Sequence, residues 1–504
     1  MPARARYTRS DGLHGSWVAV TRFTSSFPTA SSGQAASGFP ALLAPMYHDA
    51  FKEAPLEDES SRMKVLFIPE WYPSTDQPVN GLFVQEMARA AALYDDVVVL
   101  YTDPKPTQGC GSRCAISDEQ EDGLRVVRVT HGHGQNNRSS PVVPPARAGS
   151  AKPSQSTDAS LAEVPRYVRY IGRQMLHYYR IHRGFRMLLK EGWKPDILHA
   201  HVATAGVPAV LLGKLYHMPV VITEHSTAFP RGLARGIRRI QPKFAFEHAD
   251  LVCPVSEGLK QSIESQGIRA KFQVIPNVVD PALFFPPDVR CIRTGARKHL
   301  LVVALLDPKK GIPYLLQALA RLKSRRNDFV LDIVGDGPPR TEYEELTAAL
   351  GLQDTVRFHG IKPKREVAEF MRNSDVMVVP SLVETFSVVA AEALTTGLPV
   401  VTTRCGGPEE FVTPEAGLVV NPGDPEALCE ALDRVLSTLD KYPRQGLAQY
   451  GSRRFHPSAV GAQLHAVYAR LANPTDEKHG PGPVDSDNPA ASLTTGTCAR
   501  EQED

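Results

Sequence analysis

Glu384 and Glu392 stand eight residues apart in a segment that leaves an apolar run, Val376–Pro380, crosses a short loop and enters a helix-like stretch. The run Gly397-Leu398-Pro399-Val400-Val401 follows. A buried strand, a tight turn and a helix N-terminus together make a natural cradle for phosphate, because uncapped backbone N–H groups and the helix dipole both favour an anion. Phe386, Ser387 and Val388 are placed to present those N–H groups. Glu384 falls in the loop, facing whatever the phosphate carries. Glu392, about two turns into the helix, can accept two hydrogen bonds from a vicinal diol such as a ribose. Taken singly, each glutamate also fits the plainer role of a surface helix carboxylate. The strand–loop–helix setting is what singles out the pair.

Other candidates stand at equivalent places. Lys310 follows the strand-like run His299–Leu306 and precedes a helix starting near Gly311, so its ammonium can reach a phosphate; the alternative is that Lys309 and Lys310 are solvated loop charges. His201 follows Ile197–His199, where a lone histidine serves either structure or chemistry. His199, one alternation away, is expected in the sheet packing. Gly81 lets backbone approach a diphosphate closely. Glu224 and His225 end another strand and are expected to face an acceptor.

These residues need strand ends to position them, and the pattern supplies two series. Val65–Ile68, Val97–Tyr101, Ile197–His199, Val220–Thr223, Leu251–Val255 and Phe272–Ile275 read as strands, with helix-like segments such as Phe83–Leu93 and Tyr167–Lys190 between them. After a stretch with several prolines the pattern restarts with His299–Leu306, Phe329–Val334, Val356–Phe358, Val376–Val379 and Val400–Thr403. Alternating strands and helices imply parallel sheets covered on both faces, hence an α/β chain of two Rossmann-like domains facing across a cleft, with substrate at the carboxyl ends of the strands. The expected divisions are an extension over 1–62, a first domain over 63–280 with a flexible insertion at 134–164, and a linker at 281–298. A second domain over 299–452, a crossover helix region at 453–473 and a tail at 474–504 complete them. Arg4, Arg6, Arg9 and Arg22 leave an organelle transit peptide open for the first segment, beside a disordered extension or a mistaken upstream start.

Composition narrows the class. A net charge of +2 over 504 residues argues against bulk-charge nucleic-acid binding. The 7 cysteines are odd in number and scattered, which argues against a secreted disulfide framework, and Cys110 with Cys114 lacks the second pair a zinc site wants. No apolar run approaches the roughly 18–20 residues of a spanning helix. The expected setting is cytoplasmic, with peripheral attachment to the inner face of a membrane. The basic cluster Arg231, Arg235, Arg238, Arg239 and Lys243 is either a solvated face or a contact with anionic lipid or a lipid-linked acceptor.

The Glu384–Glu392 segment resembles the E-x7-E signature of retaining glycosyltransferases with the GT-B fold, family 4 in particular. The resemblance runs from about 63 to 472. It takes in Met63-Lys64-Val65-Leu66-Phe67-Ile68-Pro69-Glu70-Trp71-Tyr72-Pro73, Asn80-Gly81-Leu82-Phe83-Val84-Gln85-Glu86 and Asp196-Ile197-Leu198-His199-Ala200-His201. Ile222-Thr223-Glu224-His225, Pro254-Val255-Ser256-Glu257 and Ile275-Pro276-Asn277-Val278-Val279-Asp280 continue it. The second half adds Pro308-Lys309-Lys310-Gly311, Gly335-Asp336-Gly337-Pro338 and Gly406-Gly407-Pro408-Glu409. The resemblance implies a donor, a nucleoside-diphosphate sugar, held by Gly81, Lys309, Gly335, Gly337, Phe386, Ser387, Val388 and Glu392. It implies catalytic roles for Lys310, Glu384 and His201, a glycan, lipid-linked glycan or small-molecule acceptor, and no cofactor or metal. One position departs from the family: Leu305 stands where an arginine usually precedes the lysine, with Lys309 as its substitute.

A dinucleotide oxidoreductase fits less well. Gly335-Asp336-Gly337-Pro338-Pro339-Arg340 places Arg340 where the fingerprint wants a small residue. The only Asp-x-Asp, Asp485-Ser486-Asp487, lies in the tail, so the diphosphate is expected to be neutralised by side chains and helix dipoles. A non-hydrolysing sugar-nucleotide epimerase on the same fold, and an inactive sugar-nucleotide-binding subunit of a glycan-assembly complex, remain as alternatives.

Overall fold

The computed structural model describes residues 62–473, apart from 75–76, 78, 108–114, 133–163, 235 and 288–296. The segments 1–61, 134–163 and 474–504, Arg235 and the Cys110/Cys114 pair therefore lie outside the described residues.

The first half builds a seven-stranded sheet. In chain order it contains β1 (Lys64–Pro69), α1 (Leu82–Ala92), β2 (Asp96–Thr107), β3 (Ala115–Glu121), β4 (Leu124–Gly132), α2 (Val164–Lys190), β5 (Ile197–His201), α3 (Ala203–Tyr216), β6 (Val220–Glu224), α4 (Ile240–His248), β7 (Leu251–Pro254) and α5 (Glu257–Glu264). Strand order is β3-β4-β2-β1-β5-β6-β7, parallel except for the β3–β4 pair. Alternation along β1 explains the layering. Val65 and Phe67 join Val84 and Met87 of α1 on one face, while Leu66 and Ile68 join Phe185 of α2 and Val210 of α3 on the other. Both faces are covered, so the central strands read as continuous apolar runs.

The second half contains β8 (Lys298–Val303), α6 (Ile312–Lys323), β9 (Phe329–Val334), α7 (Arg340–Ala349), β10 (Val356–Phe358), α8 (Lys364–Arg372), β11 (Val376–Val379), α9 (Val388–Thr395), β12 (Val400–Thr403), β13 (Gly417–Val420), α10 (Pro425–Ser437), α11 (Arg444–Phe455) and α12 (Pro457–Ala472). Its six strands are ordered β10-β9-β8-β11-β12-β13, all parallel. The last helix returns to the first sheet: Val460, Leu464, Val467 and Tyr468 pack with Val84 and Met87, and a Cβ at Gly461 would lie 2.2 Å from the Ala90 carbonyl oxygen.

Two details differ from the sequence reading. Phe272–Ile275, expected as a strand, makes one isolated parallel bridge from Phe272 to Val252 at the sheet edge, with Gln273 and Ile275 N–H donating to the Val252 and Pro254 carbonyls at 3.1 Å each, and no regular ladder follows. The β3–β4 hairpin and β13 are additional strands at the two sheet edges.

Candidate active site

In the second sheet the chain leaves β8 toward β9 and β10, then returns to place β11 on the other flank of β8. The loops after β8 and β11 thus emerge side by side at a topological switch point, the crevice where such sheets bind ligands. The two loops are fastened together. Leu382 N–H donates to the Lys309 carbonyl at 2.7 Å, and Gly311 (φ 67°) has no room for a side chain, since a Cβ would lie 2.0 Å from the Pro380 oxygen. The Asp307 carboxylate accepts from Lys309 N–H at 2.9 Å and caps one turn of 3-10 helix, Pro308–Lys310. This brings Lys310 onto Glu384: Nζ donates to Oε1 at 2.6 Å, and Ser381 Oγ donates to the same oxygen at 2.9 Å. Glu384 N–H donates to the Cys405 carbonyl at 2.9 Å, fixing the loop from its other side.

Three residues later α9 begins. Its N-cap, Ser387, sits at φ 72° with no side-chain cap, and its Oγ is buried without a hydrogen-bond partner. Buried hydroxyls are nearly always satisfied, so this one stands open to a further partner. Phe386 instead anchors the turn, its ring packed with Phe411 and Phe455. Glu392 is 5% exposed on the same helix, its Oε1 3.5 Å from Lys364 Nζ. Burial pushes its carboxyl up to about 7, with Lys364 opposing the rise and Glu86 adding to it.

Lys309 is half-buried, and burial pulls its ammonium down. The charges of Lys310 and, from the first half, Arg231 add to that pull, while Asp307 and Glu384 oppose it. Leu305 is 63% exposed. Gly335 and Gly337 lie against the segment after β8: Cβ atoms there would come within 1.8 Å of the Ala304 oxygen and 2.0 Å of the Leu306 oxygen. That close packing accounts for both glycines.

The first sheet has its own switch point between β1 and β5. His201 ends β5, fully buried, with Nδ1 3.2 Å from His225 Nε2 and its own Nε2 unpartnered. Burial holds both rings neutral, His225 down at about 3 and His201 well below its ordinary value, where His199 and His225 add like-charge repulsion. His199 is closed off, its nitrogens 2.7 Å from Tyr468 Oη and 2.7 Å from Thr223 Oγ1. Gly81 (φ 78°) opens α1, where a Cβ would lie 2.4 Å from the Trp71 oxygen. The expectation for Glu224 is corrected. Its carboxylate is fully buried and accepts the backbone N–H groups of Ala203, His225 and Ser226 at 2.9, 2.9 and 2.7 Å, so it shapes the β6 turn and does not face an acceptor.

Four contacts tie the halves together around the cleft. Thr385 Oγ1 donates to the His225 carbonyl at 2.9 Å, and Ser256 Oγ to that of Gly406 at 3.3 Å. The Glu410 carboxylate accepts the N–H groups of Glu257 and Gly258 at 2.9 and 2.6 Å, a cap for α5 supplied by the opposite half. Lys364 pairs with Glu86 of α1.

Residues 293–452 match the family model described as "Glycosyl transferases group 1", and residues 120–283 match "Glycosyltransferase Family 4". The D-inositol 3-phosphate glycosyltransferase of Corynebacterium urealyticum is 30% identical over 321 residues, 58% of this chain and 75% of the relative. The chain belongs to the group 1 glycosyltransferases. Glycogen synthase of Mycobacterium tuberculosis is 27% identical over 389 residues, covering 74% of this chain and 86% of that enzyme. Among solved structures, sucrose-phosphate synthase from Thermosynechococcus elongatus matches with a TM-score of 0.59 at 20% identity, over 81% of this chain and 99% of the other. Anabaena HepE in complex with UDP-glucose gives 0.56 at 19%, over 81% and 100%. These likenesses establish the GT-B fold.

Several residues that pack around this glycosyltransferase's candidate site carried no signal in the sequence. Ser381 and Thr385 lie within the E-x7-E loop but carry no pattern of their own. Lys364 sits in Lys362-Pro363-Lys364-Arg365, which reads as a solvated basic turn, and its partner Glu86 lies 278 positions away.

Proposed function

We propose that this glycosyltransferase moves a sugar from a nucleoside-diphosphate donor to a hydroxyl of a glycan, lipid-linked glycan or small acceptor, with retention and without a metal. The observation that carries this reading is the Lys310–Glu384 pair beside the uncapped start of α9. The pair and the helix terminus offer a diphosphate one ammonium, free N–H groups and the Ser387 hydroxyl within one loop system. Lys309 supplies a second cation in the absence of an arginine at 305. Glu392 accepts the ribose hydroxyls, the N–H groups around Phe386–Val388 meet the phosphates, and Gly81 admits the diphosphate from the opposite wall. The Gly335 and Gly337 N–H groups are taken by the Gly360 carbonyl and the Asp336 carboxylate, so these two glycines serve the donor site by close backbone packing.

As the bond from the anomeric carbon to the phosphate oxygen breaks, negative charge grows on the leaving diphosphate and Lys310 stabilises it. The acceptor oxygen attacks from the same face, and its proton passes to the departing phosphate. The protein's part is positioning and preorganised charge. Neutral His201, with Nε2 free, donates or accepts at the transferring sugar without adding a cation to it. His225 borders the acceptor side. Retention further agrees with the state of the buried Glu384 carboxylate beside Lys310: held by Lys310 and Ser381, it is poorly placed to act as the general base an inverting transfer needs.

Peripheral membrane attachment is part of the proposal. Met175, Leu176 and Tyr179 of α2, Leu211 and Leu215 of α3 and Ile240 of α4 are large apolar side chains left exposed. Arg183, Arg186 and Lys190 continue the exposed stripe of α2, and Lys214, Arg238, Arg239 and Lys243 border α3 and α4. Apolar side chains ringed by cations suit an anionic bilayer, at about 1 kcal/mol per basic residue near the surface. No helix among the described residues is long and apolar enough to cross a membrane.

A thermal-shift screen of uridine, adenosine and guanosine diphosphate sugars, followed by product analysis with the tightest donor, tests the reading. Stabilisation by a diphosphate sugar and a new glycosidic product support it. No stabilisation by any of them contradicts it.

A further inference from the structure

Glu392 belongs to a buried cluster in which one ammonium serves carboxylates from both halves of the chain. Lys364, the first residue of α8, is hydrogen-bonded to Glu86 Oε1 of α1 and lies 3.5 Å from Glu392 Oε1. Asp280, buried in the connector after the first sheet, adds a third carboxylate, and the Phe284 ring centroid lies 5.3 Å from Nζ. The side chains of Glu86 and Glu392 are 8% and 7% exposed, so solvent screens this cluster weakly. Three carboxylates act on Lys364, and with Arg89 acting on Glu86 the cluster still holds more acids than bases. Burial raises both Glu86 and Glu392, with Lys364 opposing each rise. Burial also draws the ammonium down, yet Glu392 and Glu86 outweigh it and Lys364 ends raised. The charges acting on Glu392 are those of Lys364, Glu86 and Asp280, and Arg89 acts on Glu86.

Accepting both hydroxyls of a ribose is a task for an ionised carboxylate, since a protonated one gives up acceptor capacity to its own O–H. We infer that Lys364 is a positioning residue of the donor site, holding Glu392 ionised for the ribose, while Glu86 reaches the same ammonium from the opposite wall and competes for it. The inference rests on the proposed role of Glu392 as the ribose ligand. One consequence is that removing Lys364 does not delete a contact to the nucleotide; it changes the pH at which Glu392 can make one. Another is that neutralising Glu86 has the opposite effect.

The test is calorimetric titration of the full chain with nucleoside diphosphates between pH 6.5 and 9. The 2′,3′-dideoxy analogues, which lack the diol, report effects of the phosphates alone. Wild type is expected to lose ribonucleotide affinity below about pH 7, and the dideoxy analogues to show no such loss. Lys364→Met should bind about fivefold more weakly at pH 7 and recover toward pH 9, since one unit of upward shift takes Glu392 from about half to about one-tenth ionised at that pH. Lys364→Arg should restore the wild-type profile, and Glu86→Gln should carry tight binding to lower pH. Equal weakening of Lys364→Met at every pH, or an unmoved profile in Glu86→Gln, overturns the inference. Should Lys364→Met fail to fold, Glu86→Gln and Lys364→Arg decide it, with melting temperature as the check. Glu392→Gln separates the two levels: if it binds ribonucleotide as wild type does, the ribose reading falls too. If it binds weakly while Lys364→Met shows no pH dependence, only the role of Lys364 falls.

Discussion

Replacing Lys310 with alanine removes two things at once, and the structure says how to tell them apart. The first is the ammonium meant to neutralise the leaving diphosphate. Deleting one preorganised donor from such a site costs roughly 10²–10³ in kcat, or about 2.7–4 kcal/mol. The second is the cation paired with Glu384, the only one among the described residues; the Glu384 side chain is 10% exposed and that of Lys310 is 19% exposed. Breaking a fully buried pair costs about 3–5 kcal/mol. Glu384 keeps its 2.9 Å bond from Ser381, so a loss nearer 1–2 kcal/mol of stability is expected. The assay is steady-state kinetics with the tightest donor plus thermal melting, on Lys310→Ala and on Lys310→Ala/Glu384→Gln. The double variant should recover melting temperature, because no unpaired carboxylate remains, and should not recover kcat. Near-normal kcat in Lys310→Ala would shift the role to Lys309. Recovery of turnover in the double variant would show that the defect came from the stranded carboxylate and refute the leaving-group argument.

Glu392→Ala should raise the donor KM more than it lowers kcat, because a ribose contact is made equally in ground and transition states; a fall in kcat alone would contradict that role. Gly311→Ala places a Cβ 2.0 Å from the Pro380 oxygen at φ 67°, so about 1–2 kcal/mol from the backbone alone, plus the clash, should appear as a lower melting temperature and lower kcat together. His199 is held by burial at about 3 against an ordinary value of 6.5, so the unfolded chain takes up that proton first as pH falls. Wild type is penalised below about pH 6.5 in a way His199→Gln is not, and the melting-temperature cost of His199→Gln should shrink from pH 7.5 to pH 5. Flotation with vesicles containing anionic phosphatidylglycerol should capture the wild type and release it in high salt, and Met175→Asp/Tyr179→Asp should weaken capture with kcat on a soluble acceptor unchanged.

The two sheets were legible because their central strands are covered on both faces and must be apolar throughout, as in Val65–Ile68 and Val376–Val379. The edge hairpin was not. Ala115–Glu121 carries Asp118, Glu119 and Glu121, and an exposed edge strand needs no apolar period. Local motifs brought Glu384 and Ser387 into view, and the strand-to-helix junction brought Lys310, because each sits within a few residues of the element that positions it. Glu224 misled for the same reason. Its place at a strand end is that of a site residue, and only three-dimensional contacts reveal that backbone N–H groups occupy its carboxylate. Lys364 with Glu86 and Glu410 with α5 join residues more than 150 positions apart, and no local pattern encodes such a pairing.

The most direct test of the central claim is the anomeric configuration of the product. Transfer from an α-linked nucleoside-diphosphate sugar to a panel of glycan, lipid-linked and small acceptors, run in EDTA and read by proton NMR at the new anomeric centre, should give an α linkage at the rate seen without chelator. A β linkage, activity that only magnesium or manganese restores, or tight donor binding with no transfer to any acceptor would contradict it.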